Sequence, residues 1–76
     1  MTHEEAVRML REMYDSAPSR DKMLAVYLFG IKYADDLKAS RLSTDDLSRE
    51  ALGRKLGPTI NAGIKLAGYV ELKGGK

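Results

Sequence analysis

Residues 23–31 read Met-Leu-Ala-Val-Tyr-Leu-Phe-Gly-Ile, an uncharged and almost wholly apolar run inside a chain of only 76 residues. A helix built from them is apolar on nearly every side, so other elements or a second chain must surround it. Val, Tyr, Phe and Ile also favour sheets. The charged continuation Lys32-Tyr33-Ala34-Asp35-Asp36-Leu37-Lys38 carries the pattern past strand length and decides for helix. The run is about half of the roughly 20 residues that cross a bilayer. One helix is therefore expected over residues 20–39, with Ser19 as its N-cap. Gly30 costs such a helix about 1 kcal/mol relative to alanine, and close approach of another backbone is the reason expected for it.

The rest of the chain supplies partners for that helix. Thr2 and Glu5 have the spacing of a capping box. Ala6, Val7, Met9, Leu10, Met13 and Tyr14 then recur at helical steps, so residues 2–16 read as an amphipathic helix that Ser16-Ala17-Pro18-Ser19 breaks. After a connector at residues 39–43, Ser43 or Thr44 can cap a third helix, with Asp45 and Asp46 at its positive end and Leu47, Ala51 and Leu52 on its core face. Gly53 and Gly57 punctuate the chain there. A fourth helix is expected from Pro58, a residue suited to the first helical position, to about Ala67, with Gly68 as its C-cap. Tyr69-Val70-Glu71-Leu72 alternates like a short strand, and residues 73–76 read as a flexible tail.

The composition narrows the chemistry. With no cysteine and a single histidine, His3, neither disulfides nor a thiolate-bound metal are expected. The acid pairs Glu4-Glu5, Asp35-Asp36 and Asp45-Asp46 are adjacent, so their side chains diverge on a helix and read as terminal and surface charges. No serine has a base in view, and Gly53-Arg54-Lys55-Leu56-Gly57 lacks the ending of a phosphate loop. No enzyme activity and no cofactor are expected. The polar N-terminus has no secretory core, which gives a cytoplasmic protein with no membrane association as the expectation. The net charge of +2 says little, but its distribution says more. Residues 1–46 carry seven bases against nine acids, and residues 47–76 carry six bases against two acids. The C-terminal segment is the basic end.

Residues 44–67 have the outline of a helix-turn-helix, with Leu56-Gly57 as the turn and Gly53 as the small residue where the two helices cross. In the last helix Ile60, Ile64 and Ala67 share an inward face. Pro58, Asn61, Ala62 and Lys65 fall on another face that carries no acid. Asn61 can donate to and accept from an adenine edge, and Lys65 can reach guanine or phosphate. Arg54 and Lys55 can grip the DNA backbone. Arg54, Lys55, Thr59, Asn61 and Lys65 are the candidate contacts to double-stranded DNA. Tyr27, Phe29 and Tyr33 are the candidate dimer or partner surface.

Two strings, Leu28-Phe29-Gly30-Ile31-Lys32-Tyr33-Ala34-Asp35 and Asn61-Ala62-Gly63-Ile64-Lys65-Leu66-Ala67-Gly68-Tyr69-Val70, resemble the small bacterial proteins described as HTH-like domain proteins. The resemblance covers nearly the whole chain and implies a compact helical domain ending in a tyrosine-valine strand. DNA binding accompanies it only by analogy of fold. The expectation is then a single all-α domain of about four helices. Residues 1–43 give support and a possible dimer surface, and residues 44–72 hold the helix-turn-helix-like unit and the short strand. The expected function is non-catalytic DNA binding or regulation, as a homodimer. The alternative is a protein-interaction module acting through the apolar second helix.

Overall fold

The computed structural model describes residues 1–70, and all of the regular structure in them is helical. Helix α1 spans His3–Ser16, α2 Lys22–Lys32, α3 Ala34–Ser40, α4 Thr44–Leu52 and α5 Gly57–Leu66, with a 3-10 turn at Ser19–Asp21 before α2. Helix α2 packs one face against both α1 and α5. Helix α4 bridges α1 and α5, and α3 folds back onto α5.

The helix starts follow local chemistry. At α1 the Glu5 N–H donates to the Thr2 hydroxyl (3.1 Å) and the Thr2 N–H to the Glu5 carboxylate (2.9 Å), completing the capping box. Helix α1 ends at Ala17, which is extended as a residue before proline should be. Ser43 caps α4 by accepting the Asp46 N–H at 3.2 Å. Two helix ends are closed by basic side chains from elsewhere, which meet both the free carbonyls and the negative end of the dipole. The Lys22 ammonium donates to the carbonyls of Tyr14 (2.7 Å) and Asp15 (3.2 Å) at the end of α1. The Arg11 guanidinium donates to those of Ala51 (3.3 Å) and Glu50 (3.2 Å) at the end of α4. His3 meets the Glu50 carboxylate at 2.8 Å and ties α1 to α4 a second time.

The core gathers Val7 and Leu10 of α1, Val26 and Phe29 of α2, Leu37 of α3, Leu47 of α4 and Ile60 of α5. Its tightest point is the α2–α5 crossing. A Cβ at Gly30 would stand 2.5 Å from the Ile60 carbonyl oxygen and 3.0 Å from the Gly63 Cα, and one at Gly63 would run into the Tyr27 carbonyl. Gly30 is thus where another backbone approaches, as expected.

Several expectations are corrected. The helix expected over residues 20–39 is two helices. Tyr33 (φ −110°, ψ 24°) breaks it, with its ring 5.4 Å from that of Phe29, and the bend lets α3 bury Ala34 and Leu37. That break makes five helices among the described residues where about four were expected. Ser19 opens the 3-10 turn and does not cap α2. Phe29 is no surface residue: it is fully buried in the core, while Tyr27 and Tyr33 are half-buried. Gly53 does not mark a helix crossing, since a Cβ there would meet nothing within 4 Å. It takes the left-handed conformation (φ 71°) that ends α4. Gly68 is not the left-handed cap expected of it, because α5 closes on Ala67 in ordinary helical conformation. Tyr69 and Val70 do not begin a strand. Their N–H groups both donate to the Leu66 carbonyl, at 2.8 and 3.0 Å, forming a turn. The rest of the expected strand, Glu71 and Leu72, and the tail at 73–76 lie outside the described residues.

Candidate nucleic-acid interface

Helices α4 and α5 are joined by residues 53–56, a four-residue turn containing glycine, and they pack on one another. The turn is longer than the expected Leu56-Gly57, and Gly57 already belongs to α5. Ser48 holds it. This side chain is fully buried, and its hydroxyl donates to the Asp45 carbonyl (3.1 Å) while accepting the Leu56 N–H (2.8 Å). An unpartnered hydroxyl there would cost about 1–3 kcal/mol. The Asp45 carboxylate then accepts the Gly57 N–H at 3.1 Å. A Cβ at Gly57 would collide with that carboxylate, so a larger residue would have to displace it and break the bond. The chain after Gly53 therefore runs back along α4, and α5 starts beside the first turn of α4. Ser48 and Asp45 are the organisers that sequence reasoning misses. By sequence Asp45 reads only as a charge on the helix dipole, and Ser48 carries no signal at all.

Helix α5 turns Gly57, Ile60 and Gly63 inward, with Ile64 and Ala67 half-buried. Pro58, Asn61 and Lys65 are exposed on the opposite side, and Ala62 and Thr59 are half-buried beside them. Starting the helix at Gly57 instead of Pro58 leaves this face unchanged, because helical spacing alone defines it. Asn61 has one partner: the Thr44 hydroxyl donates to its Oδ1 at 3.2 Å. Its NH₂ group has no hydrogen-bond partner among the described residues. Arg54 and Lys55 are exposed in the turn and Lys65 in the last turn of α5, and none of the three is in an ion pair among the described residues. Arg49, by contrast, is engaged with Asp46 at 2.9 Å.

The expected absence of acid holds for α5 itself but not for its surroundings, since Asp45 lies against its first turn. This changes how phosphate could be held. A helix N-terminus binds anions through its free N–H groups, yet here the Gly57 N–H is taken by Asp45 and Pro58 has none. That leaves the Thr59 N–H as the one backbone donor of the first turn without a partner among the described residues, so the grip on phosphate falls mainly to the side chains of Arg54, Lys55 and Lys65.

A family model described as "HTH-like domain" matches residues 2–73. The chain belongs to the HTH-like domain family. No curated protein and no solved structure matches it. The two strings that carry the resemblance acquire a physical meaning in this HTH-like domain. One contains Gly30 and the other Gly63, so they are the two sides of the α2–α5 crossing that sets the position of α5. No described helix is long and apolar enough to cross a membrane.

Proposed function

We propose that this HTH-like domain is a non-catalytic, cytoplasmic regulatory protein that binds double-stranded DNA through the outward face of α5, as a homodimer and without a cofactor. One observation carries the reading. Pro58, Asn61 and Lys65 form an exposed, acid-free helix face on the second helix of a helix-turn-helix-like pair, and Arg54 and Lys55, in no ion pair among the described residues, precede it in the turn. Thr44 donates to the Oδ1 of Asn61 and leaves its NH₂ to donate to the N7 acceptor of a purine. Arg54, Lys55 and Lys65 hold phosphate and set position, with Thr59 beside them, and Asn61 serves readout.

The test is fluorescence anisotropy of a labelled mixed-sequence duplex at low and physiological salt. Three phosphate contacts per protomer give a log–log salt slope of about −2.7, and six in a dimer about −5.4. Binding with such a slope supports the reading. No binding at low salt, where electrostatic attraction is least screened, overturns it in favour of a protein-interaction module. A specific observation keeps that second reading in view: the outward face of α2 carries Leu24, Tyr27, Leu28 and Ile31 and no charge.

A further inference from the structure

Which purine Asn61 reads depends on what its carboxamide oxygen is doing. A free asparagine meets adenine with both ends of the amide: the NH₂ donates to N7 and Oδ1 accepts from the N6 amino group. Guanine presents two acceptors there, N7 and O6, and is met by donors alone. In this domain Oδ1 is engaged. The half-buried Thr44, in the first turn of α4, donates to it at 3.2 Å, while the exposed Asn61 has its NH₂ without a partner among the described residues. We propose that Thr44 is a positioning residue that makes Asn61 a donor-only reader, so that the outward face of α5 selects guanine over adenine in the major groove. The proposal rests on the DNA-binding reading and specifies the base recognised.

The Thr44–Asn61 bond is part of a seam between the two helices. Asp45, next to Thr44, accepts the Gly57 N–H at 3.1 Å, and a Cβ at Gly57 would stand 3.0 Å from the Asp45 backbone nitrogen. The first turn of α4 is thus held against the first turn of α5, and Asn61 lies one turn after Gly57. Thr44 therefore meets Asn61 from an anchored backbone and draws Oδ1 toward α4. The oxygen keeps a second lone pair, but offering it to adenine N6 requires one atom to face α4 and the base together. The outward face holds no substitute acceptor, because the side chains of Pro58 and Lys65 carry none. The Asp45 carboxylate is engaged at Gly57. A neutral hydrogen bond biases an equilibrium by roughly two- to tenfold, enough to set a base preference and small enough for one substitution to remove.

Fluorescence anisotropy of the full chain at low salt, with three labelled duplexes of equal length, tests this. One is rich in G·C pairs and one has A·T pairs only. The last is the G·C duplex remade with 7-deazaguanine, which replaces N7 by C–H and leaves base pairing intact. Wild type is expected to bind the G·C duplex about tenfold more tightly than the A·T duplex, and to lose most of that advantage with 7-deazaguanine. Thr44→Val keeps the shape of the side chain and removes the donor. Its guanine preference should fall by roughly two- to tenfold, with the salt slope unchanged and a circular-dichroism melt confirming the fold. A merely structural threonine would move the melt or all affinities together and leave the preference alone. Equal affinity for the G·C and A·T duplexes, an A·T preference, or a Thr44→Val protein with the wild-type preference overturns the proposal while leaving DNA binding standing. Failure to bind any of the three duplexes overturns the DNA-binding reading itself, and this proposal with it.

Discussion

Replacing Gly30 by alanine sets two effects of opposite sign against each other. Helix propensity alone makes alanine better by about 1 kcal/mol in the interior of α2. The crossing says otherwise. The new methyl would stand 2.5 Å from the Ile60 carbonyl oxygen, 3.0 Å from the Gly63 Cα and 3.1 Å from the Ile64 nitrogen. All three are backbone atoms, so no side chain can swing aside and α5 must move as a body by roughly 1 Å to reach ordinary contact near 3.5 Å. A gap of that size forfeits about a quarter to a half of the dispersion attraction along the seam. Overpacking a filled interior costs about 1–3 kcal/mol, and a clash against backbone belongs near the top of that range. After the propensity gain the net loss is about 2 kcal/mol. For a domain of this size that lowers Tm by about 8–16 °C, which thermal and urea melts followed by circular dichroism will resolve. Gly68→Ala is the control: its methyl would lie 3.4 Å from the Lys65 carbonyl, and stability should stay within about 0.5 kcal/mol of wild type. A Gly30→Ala protein that melts at or above the wild-type temperature would refute the reasoning, because propensity would then outweigh packing.

Three further outcomes follow from the same geometry. Ser48→Ala removes the acceptor of the part-buried Leu56 N–H and should cost about 1–3 kcal/mol in urea denaturation; an unchanged midpoint would show that the turn does not depend on this hydroxyl. Arg54→Ala and Lys65→Ala should each weaken duplex binding and reduce the salt slope by about 1; unchanged slopes in both would remove them from the interface. The Glu5 carboxyl is held below its ordinary value of 4.5, first by the Thr2 N–H it accepts. A depressed folded value adds stability above the ordinary value and loses it as pH falls through the folded one. The Tm difference between wild type and Glu5→Gln should therefore be present at neutral pH and vanish in acid, and a gap that persists in acid would contradict this.

Where the fold is legible in the sequence, local rules suffice. The Thr2/Glu5 capping box, the Pro18 break and the stripe along α1 each depend on residues within a turn or two of one another. The apolar run 23–31 announces a helix that packs heavily, and Gly30 marks a close backbone approach without naming its partner. Sequence reasoning fails where distant contacts decide. Nothing local announces the break at Tyr33, because its packing on Phe29, four residues back, is a contact an unbroken helix would also make. The helix pattern runs through it, and only the burial of Leu37 favours the break. Phe29 reads as surface because a helix apolar all round does not say which side is inside. The glycines at 53 and 57 mislead together. One relieves a left-handed backbone, and the other makes room for the carboxylate of Asp45, far back in the chain at the start of α4. The outward face of α5 is legible because helical spacing fixes it. The Thr44–Asn61 and Ser48–Leu56 bonds are not, because they depend on the turn doubling back along α4.

The placement of DNA on the second helix of the pair is tested most directly by following backbone amide resonances while a short duplex is titrated into labelled protein. Shifts are expected at Arg54, Lys55 and across residues 59–65, with the amides of Leu24, Leu28 and Ile31 unmoved. Saturable shifts on the α2 face with none on α5, or no shifts at low salt, would contradict that placement.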